Sequence, residues 1–404
     1  MCKKSIKTIK ATARKVRFFS ISLLSLASVH ALAAEVTANA GAAYRVYPDT
    51  AAYDKQEDGG VSITLQGELR EKWNDGYTVL TLLPFYRYDE MDDERTHGDI
   101  RQFDLVHTND HWEYQAGIGK VFWGVAESAH LVDIINQTDS VESFDGEEKL
   151  GQPLLRGSYF YNEAAIHFFI LPYFRERTFP GETGRLRSEW VVDTDNPVYE
   201  SSQEEKHVDY ALRLQKMIGS VDFGLSYFDG TSRTPYFIPD LINSRLKPYY
   251  PLIEQTGVDL QYTGEKWLWK FEAIYRDSLQ ESYNAEVGGF EYTIPGFAAT
   301  NMELGLLAEY NYDSRGQVLD APYQNDAFVG ARLVFNDLDA DCLVGGYVDM
   351  ENRTKNFFLE FTMRMAAQLQ LNIEAQAFAH VDEADVFYSV RKDGYIEAEV
   401  KYYF

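Results

Sequence analysis

Tyr395-Ile396-Glu397-Ala398-Glu399-Val400-Lys401-Tyr402-Tyr403-Phe404 reads as one strand with two unlike faces. Ile396, Ala398, Val400, Tyr402 and Phe404 fall on one side. Tyr395, Glu397, Glu399, Lys401 and Tyr403 fall on the other. Successive side chains of a strand point to opposite faces, so this ribbon is apolar on one face and polar on the other. The same rhythm runs back through the chain. Leu371, Ile373, Ala375 and Ala377 alternate with Asn372, Glu374 and Gln376. Met302, Leu304, Leu306 and Ala308 oppose Glu303 and Glu309, and Trp267, Trp269, Phe271 and Ala273 oppose Lys270 and Glu272. Near the start, Val61, Ile63, Leu65 and Leu69 oppose Ser62, Thr64, Gln66, Glu68 and Arg70.

A soluble sandwich would alternate in the same way, so other features must choose. The segments run to about 10 residues, the length a tilted strand needs to cross hydrocarbon. Trp73, Tyr77, Trp112, Trp267, Tyr402 and Tyr403 gather at one set of segment ends, and Tyr47, Tyr86, Tyr88, Tyr227, Tyr275 and Tyr310 at the other. Such amphipathic rings suit the headgroup level of a bilayer. Short connections near 74–76, 109–111, 162–163, 219–220, 263–266, 296–301, 336–340 and 368–370 alternate with longer ones near 48–60, 89–99, 124–155, 175–206, 229–256, 277–284, 313–325, 351–355 and 381–394. Transmembrane barrels have short turns at one rim and long loops at the other. The pattern predicts an all-β, antiparallel up-and-down transmembrane barrel of 18 strands. The count falls to 16 if the short strand at 156–161 and its turn are misread. Pro84 and Pro172 lie inside expected strands, where each removes a ladder donor and predicts a bulge.

The N-terminus predicts export. Lys3, Lys4, Lys7, Lys10, Arg14, Lys15 and Arg17 precede an apolar run, Phe18–Leu26, and the small-residue pattern Ala31-Leu32-Ala33. A basic stretch, a short apolar stretch and a small-residue site read as a cleaved signal peptide over 1–33, leaving the barrel to 34–404. Those seven bases are part of 38, and none of the 63 acids precedes Glu35, so the remainder holds 31 bases against 63 acids, a net charge of −32. Such a charge argues against nucleic acid as a partner. One cysteine, Cys342, remains, which excludes an internal disulfide and a cysteine metal site.

The third long connection carries the strongest functional signal. It runs Trp123-Gly124-Val125-Ala126-Glu127-Ser128, then Asp133-Ile134-Ile135-Asn136, and closes at Gly151-Gln152-Pro153. This W-G-x-x-E-S…D-I-I-N arrangement resembles a group of proteobacterial porin-like proteins, over about 30 residues of motif. The terminal strand with Tyr402 and Phe404 resembles the assembly signal of bacterial outer-membrane barrels. The resemblance implies a Gram-negative outer-membrane location, with lipid, lipopolysaccharide and the barrel assembly machinery as partners and with homo-oligomers open. It also implies a third loop, 124–155, that folds into the lumen. Leu131, Ile134 and Ile135 fit one helical face, which predicts a turn of helix packed on the inner wall. Glu127, Asp133, Asp139, Glu142 and Asp145 would then face a constriction.

The inward set of strand residues supplies the expected lumen wall. Arg70, Arg213, Lys270, Arg332 and Arg364 are its basic members, and Glu303, Glu374 and Glu399 stand among its acids. Acids outnumber bases on these faces, and acidic rings favour cations. No histidine pair has metal-ligand spacing, no glycine-rich phosphate loop appears, and no cofactor is implied. The expectation is a non-enzymatic channel for passive diffusion of small hydrophilic solutes with a modest cation preference. The alternatives are a substrate-selective or outer-loop binding barrel and, behind it, an outer-membrane hydrolase.

Overall fold

A computed structural model describes residues 34–316 and 321–404. The expected signal peptide, 1–33, lies outside the described residues. Eighteen strands form one antiparallel sheet. In chain order they are β1 (Glu35–Val46), β2 (Gly59–Trp73), β3 (Thr78–Asp89), β4 (His97–Asn109), β5 (Trp112–Gly119), β6 (Gln152–Tyr161), β7 (Ala164–Leu171), β8 (Asp209–Ile218) and β9 (Val221–Thr231). The second half holds β10 (Leu252–Thr263), β11 (Trp267–Ser278), β12 (Ser282–Phe297), β13 (Met302–Asp313), β14 (Asn325–Phe335), β15 (Ala340–Asp349), β16 (Lys355–Ala366), β17 (Leu369–Ala379) and β18 (Tyr395–Tyr403). Each strand pairs with its sequence neighbours, and β1 also pairs with β18, from Asn39 opposite Tyr403 to Val46 opposite Ile396. The sheet therefore closes and leaves no edge, the condition for strands to cross hydrocarbon with every ladder group satisfied.

The burial pattern is that of a soluble protein turned inside out. On β1 and β2, Tyr44, Val46, Val61, Ile63 and Leu65 are exposed, while Arg45, Ser62 and Thr64 are buried. On β18, Ile396, Val400 and Tyr402 are exposed while Glu397 and Glu399 are buried. Water-facing sheets do the reverse. The outward apolar face fits lipid, and the polar face encloses a lumen. At the short-turn rim Trp112 meets Tyr159 at 4.7 Å between ring centroids, and Trp267 meets Tyr292 at 4.6 Å, the start of an aromatic girdle.

Connections fall at all seventeen expected places, and β6 is a full strand, so the count is 18; the link from β11 to β12, expected to be long, is a three-residue turn, 279–281, because both strands extend into the expected loop. The prolines differ from each other. Pro84 sits beside a register shift between β3 and β4, the expected bulge. Pro172 is not in a strand: β7 ends one residue earlier, at Leu171, because the next ladder donor is missing.

The long loops do not stand free of the barrel. A hairpin, Tyr236–Asp240 with Arg245–Tyr250, pairs with short strands Val191–Val192 and Val198–Tyr199 from the preceding loop. Phe174 and Tyr250, both fully buried, meet there at 4.9 Å.

Candidate channel lumen

Residues 120–151, between β5 and β6, lie against the inner wall. Trp123, Val132, Ile134 and Ile135 are buried and form one cluster with Leu154, Phe169, Phe228 and Ile274, which are inward residues of β6, β7, β9 and β11. The segment takes turns in place of the expected turn of helix. Its backbone donors explain why. The amides of Val125, Ala126 and Val132 donate to the Glu272 carboxylate at 2.6, 2.9 and 3.2 Å. The amides of Glu127 and Ser128 donate to Glu309 at 3.0 and 2.8 Å, joined by the Ser128 hydroxyl at 2.6 Å. Without those donors two buried carboxylates on β11 and β13 would stand unpaired, at a cost of several kcal/mol each, which ties the backbone of 125–132 to the wall.

The motif residues make this nest. Gly124 has φ of 131°, and a β-carbon there would lie 2.9 Å from a Glu272 carboxylate oxygen. The Asp133 carboxylate accepts the Trp123 amide at 3.2 Å and faces Lys149 at 3.3 Å. Asn136 accepts the Val121 amide at 2.9 Å and donates to the carbonyls of Gly119 and Leu150 at 2.9 and 2.8 Å. The motif therefore fixes the loop's path over the wall.

The five acids expected at a constriction divide. Glu127 is held between Arg332 at 2.7 Å and Lys270 at 3.4 Å. Asp145 lines the lumen, accepting from the Ser143 hydroxyl and the Glu147 amide. Asp133, Asp139 and Glu142 do not present free carboxylates. Asp139 is buried and accepts from Thr178 at 2.8 Å beside His97 at 3.2 Å. Glu142 takes a two-pronged pair from Arg87 at 2.7 and 2.8 Å, with Arg101 at 3.6 Å. Burial works against the Glu142 charge, but the Arg87 guanidinium holds the carboxyl below its ordinary value. The inward basic group of β3, β4 and their loop, Arg87, Arg95 and Arg101, was not singled out from the sequence. Its signal was present: Phe85, Arg87 and Asp89 alternate with outward Tyr86 and Tyr88.

The expected wall residues also divide. Arg213 is buried against Asp259 at 2.8 Å, beneath the Trp123 ring. Lys270 and Arg332 grip Glu127. Glu399 accepts from Asn372 at 3.1 Å and pairs with Lys401 at 3.0 Å. Glu374 lines an inner cavity. Arg70, Glu303 and Arg364 lie toward the short-turn ends of their strands, where Arg364 meets the turn residue Asp339 at 3.2 Å. At the chain's last strand, Tyr402 faces outward, and the exposed Phe404 donates its amide to the Ala38 carbonyl at 2.9 Å.

Two of the lumen's cavities border the loop around Asp145–Glu147. The inner one, of about 360 Å³, lies between the loop and the wall of β15–β18. The outer one, of about 400 Å³, lies between the loop and the residues around Arg177, Arg233 and Arg276. They share Glu127, Phe144, Asp145, Glu147, Tyr323 and Tyr347, which form the threshold between them. Burial, then the neighbouring Glu147, pushes the Asp145 carboxyl up. Glu147 itself is held down by His130, 3.9 Å away. Tyr323 and Tyr347 stack at 4.1 Å with their planes 9° apart.

No protein-family model matches the sequence. No curated protein matches it either. Solved structures do. Wzi, an outer-membrane protein involved in group 1 capsule assembly in Escherichia coli and described as a carbohydrate-binding β-barrel, superposes with a TM-score of 0.54 at 12% identity, covering 90% of this chain and 83% of Wzi. A triple mutant of the Rhodopseudomonas blastica porin gives 0.43 at 10% identity, covering 92% of this chain and 100% of the porin. The fold is a closed, 18-stranded antiparallel β-barrel of the outer-membrane type.

Proposed function

We propose that the protein is an outer-membrane channel through which small hydrophilic solutes diffuse, with a modest preference for cations. The threshold carries this reading. Three carboxylates, Glu127, Asp145 and Glu147, stand where the two lumen cavities meet. Fixed charge acts most strongly at a narrow place, because low-dielectric walls focus its field. Arg332 and Lys270 neutralise Glu127, so Asp145 and Glu147 set the sign. The outward apolar face and aromatic girdle support residence in outer-membrane lipid with lipopolysaccharide as a neighbour.

The stacked Tyr323 and Tyr347 favour a second reading, a substrate-selective barrel that binds its solute. Flat aromatic faces suit sugars, and Wzi, one of the structural neighbours, is a carbohydrate-binding β-barrel. Planar-bilayer recording of the purified protein separates the two. Stable open-channel current in KCl, unaffected by millimolar neutral oligosaccharide, supports diffusion. Current blocked by the oligosaccharide supports the binding barrel, and no current at all overturns the channel.

A further inference from the structure

His107 is a polar side chain on the lipid-facing side of β4. Phe103, Leu105 and His107 alternate outward, and all three are exposed. The His107 Nδ1 meets the Thr78 hydroxyl at 2.9 Å. That hydroxyl already accepts from the Asn74 side-chain amide at 3.2 Å. Its own proton therefore goes to Nδ1, and the ring carries its proton on Nε2. Among the described residues nothing partners Nε2. The ring lies deeper than Asn109, which stands opposite Trp112 of the aromatic girdle. Hydrocarbon offers no acceptor at that depth, and an N–H left without one costs several kcal/mol.

Beside His107 the outer wall is hollow. His107 stands opposite Tyr114, Tyr114 opposite Gly157, and Gly157 opposite Phe168. Two exposed rings thus flank a residue without a side chain. A β-carbon on Gly157 would meet nothing within 4 Å, and its φ is not of the left-handed kind. The protein's own packing does not call for glycine there, and glycine weakens a strand interior. The resulting groove, of about 350 Å³, is lined by His107 at one end and by Leu105, Ala116, Leu155, Phe168 and Ile170 along its length. It leads from just inside the girdle toward the middle of the hydrocarbon band. Its shape calls for an oxygen acceptor joined to an apolar chain, which is the build of a lipid.

We propose that this groove is a specific binding site for one glycerophospholipid of the inner leaflet, with a headgroup or ester oxygen accepting from His107 Nε2 and an acyl chain lying over Gly157 between Tyr114 and Phe168. The proposal rests on residence in the outer membrane and is independent of conduction.

Dioleoyl phosphatidylethanolamine is the probe, titrated onto the delipidated full-length barrel in detergent and counted by native mass spectrometry. The expected result is one saturable lipid per barrel, ahead of any weaker ones. G157L fills the groove and H107F removes the donor, and each should weaken that first lipid about tenfold or more. V329F, on the exposed face of β14, should bind it as the wild type does. No saturable first lipid on the wild type overturns the site, as does unchanged binding in either folded variant, and the wild-type titration decides even where a variant does not fold. Dimers or larger assemblies that retain no lipid and fall apart in G157L would make a second copy the occupant and overturn it too. A detergent-folded barrel without a tight lipid refutes the site alone, whereas a native chain that stays monodisperse without detergent refutes the outer-membrane reading.

Discussion

At the residue scale, the sequence motif and the pore chemistry turn out to be separate matters. Trp123, Gly124, Asp133 and Asn136 stood out in the sequence because they form a pattern, and the structure assigns them to loop anchoring. Asp139 and Glu142 stood out only as acids in a loop, and a loop acid reads the same whether it is solvated or paired. Their partners, Thr178 and Arg87, lie tens of residues away, and one chain gives no local sign of such pairings. Glu142 gives a pH prediction. Its carboxyl is held below the ordinary value in the folded protein, so pairing stabilises the docked loop above the unfolded-state pKa of about 4.3 and fades as pH falls through the folded value. Current noise or subconductance transitions should appear as pH drops below about 4 and stay absent at pH 7. E142Q leaves Arg87 buried without its charge partner, a loss of about 3–5 kcal/mol by analogy with other broken buried pairs. It should show the same transitions at neutral pH. Quiet, wild-type-like traces in E142Q at pH 7 would count against this pairing as the loop's clamp.

At the element scale, strands were legible and the inward loop only partly so. Period-two alternation marks a strand whenever its two faces meet different media, and here they do along β2, β11, β13, β17 and β18. The segment 131–135 has helical spacing, yet the Val132 amide goes to Glu272 on the wall, and the amides just ahead of it, of Ala126 and Ser128, go to Glu272 and Glu309. Periodicity reads side chains, and the backbone's choice of acceptor lies outside its reach. In the sequence Glu272 and Glu309 read only as members of the polar faces of their strands; their role as acceptors for the loop needs the fold to be seen. The loop fills space between the wall and the two cavities. Deleting 130–148 should therefore raise single-channel conductance in 1 M KCl at least about twofold, the Glu272 and Glu309 anchors notwithstanding. Unchanged conductance would place the limiting resistance elsewhere, for instance among the outer loops joined by the hairpin at Tyr236–Tyr250.

At the scale of the whole molecule, the sequence carries architecture well because closure and alternation act on every strand at once. Eighteen strands, their turn order and their two faces follow from that repetition, whereas the lumen's contents depend on contacts made once. The faces are testable. Ala375 and Val400 share the outward face with Ile396, and Glu399 is buried inside. An arginine at an outward midplane position costs about 2–4 kcal/mol in such barrels. After removal of Cys342, cysteines at 372, 374 and 376 should react with membrane-impermeant thiol reagents faster than those at 371, 373 and 375.

The proposed channel carries excess negative charge at its narrowest part, and the reversal potential across a KCl gradient measures that charge. With 0.1 M against 0.03 M KCl, the potential should take the sign of K⁺ preference. It should shrink toward zero at tenfold higher salt, as the Debye length falls from about 10 Å to about 3 Å. D145N with E147Q should shrink it further at low salt. A potential of the opposite sign, showing chloride preference in the wild type, would contradict the account.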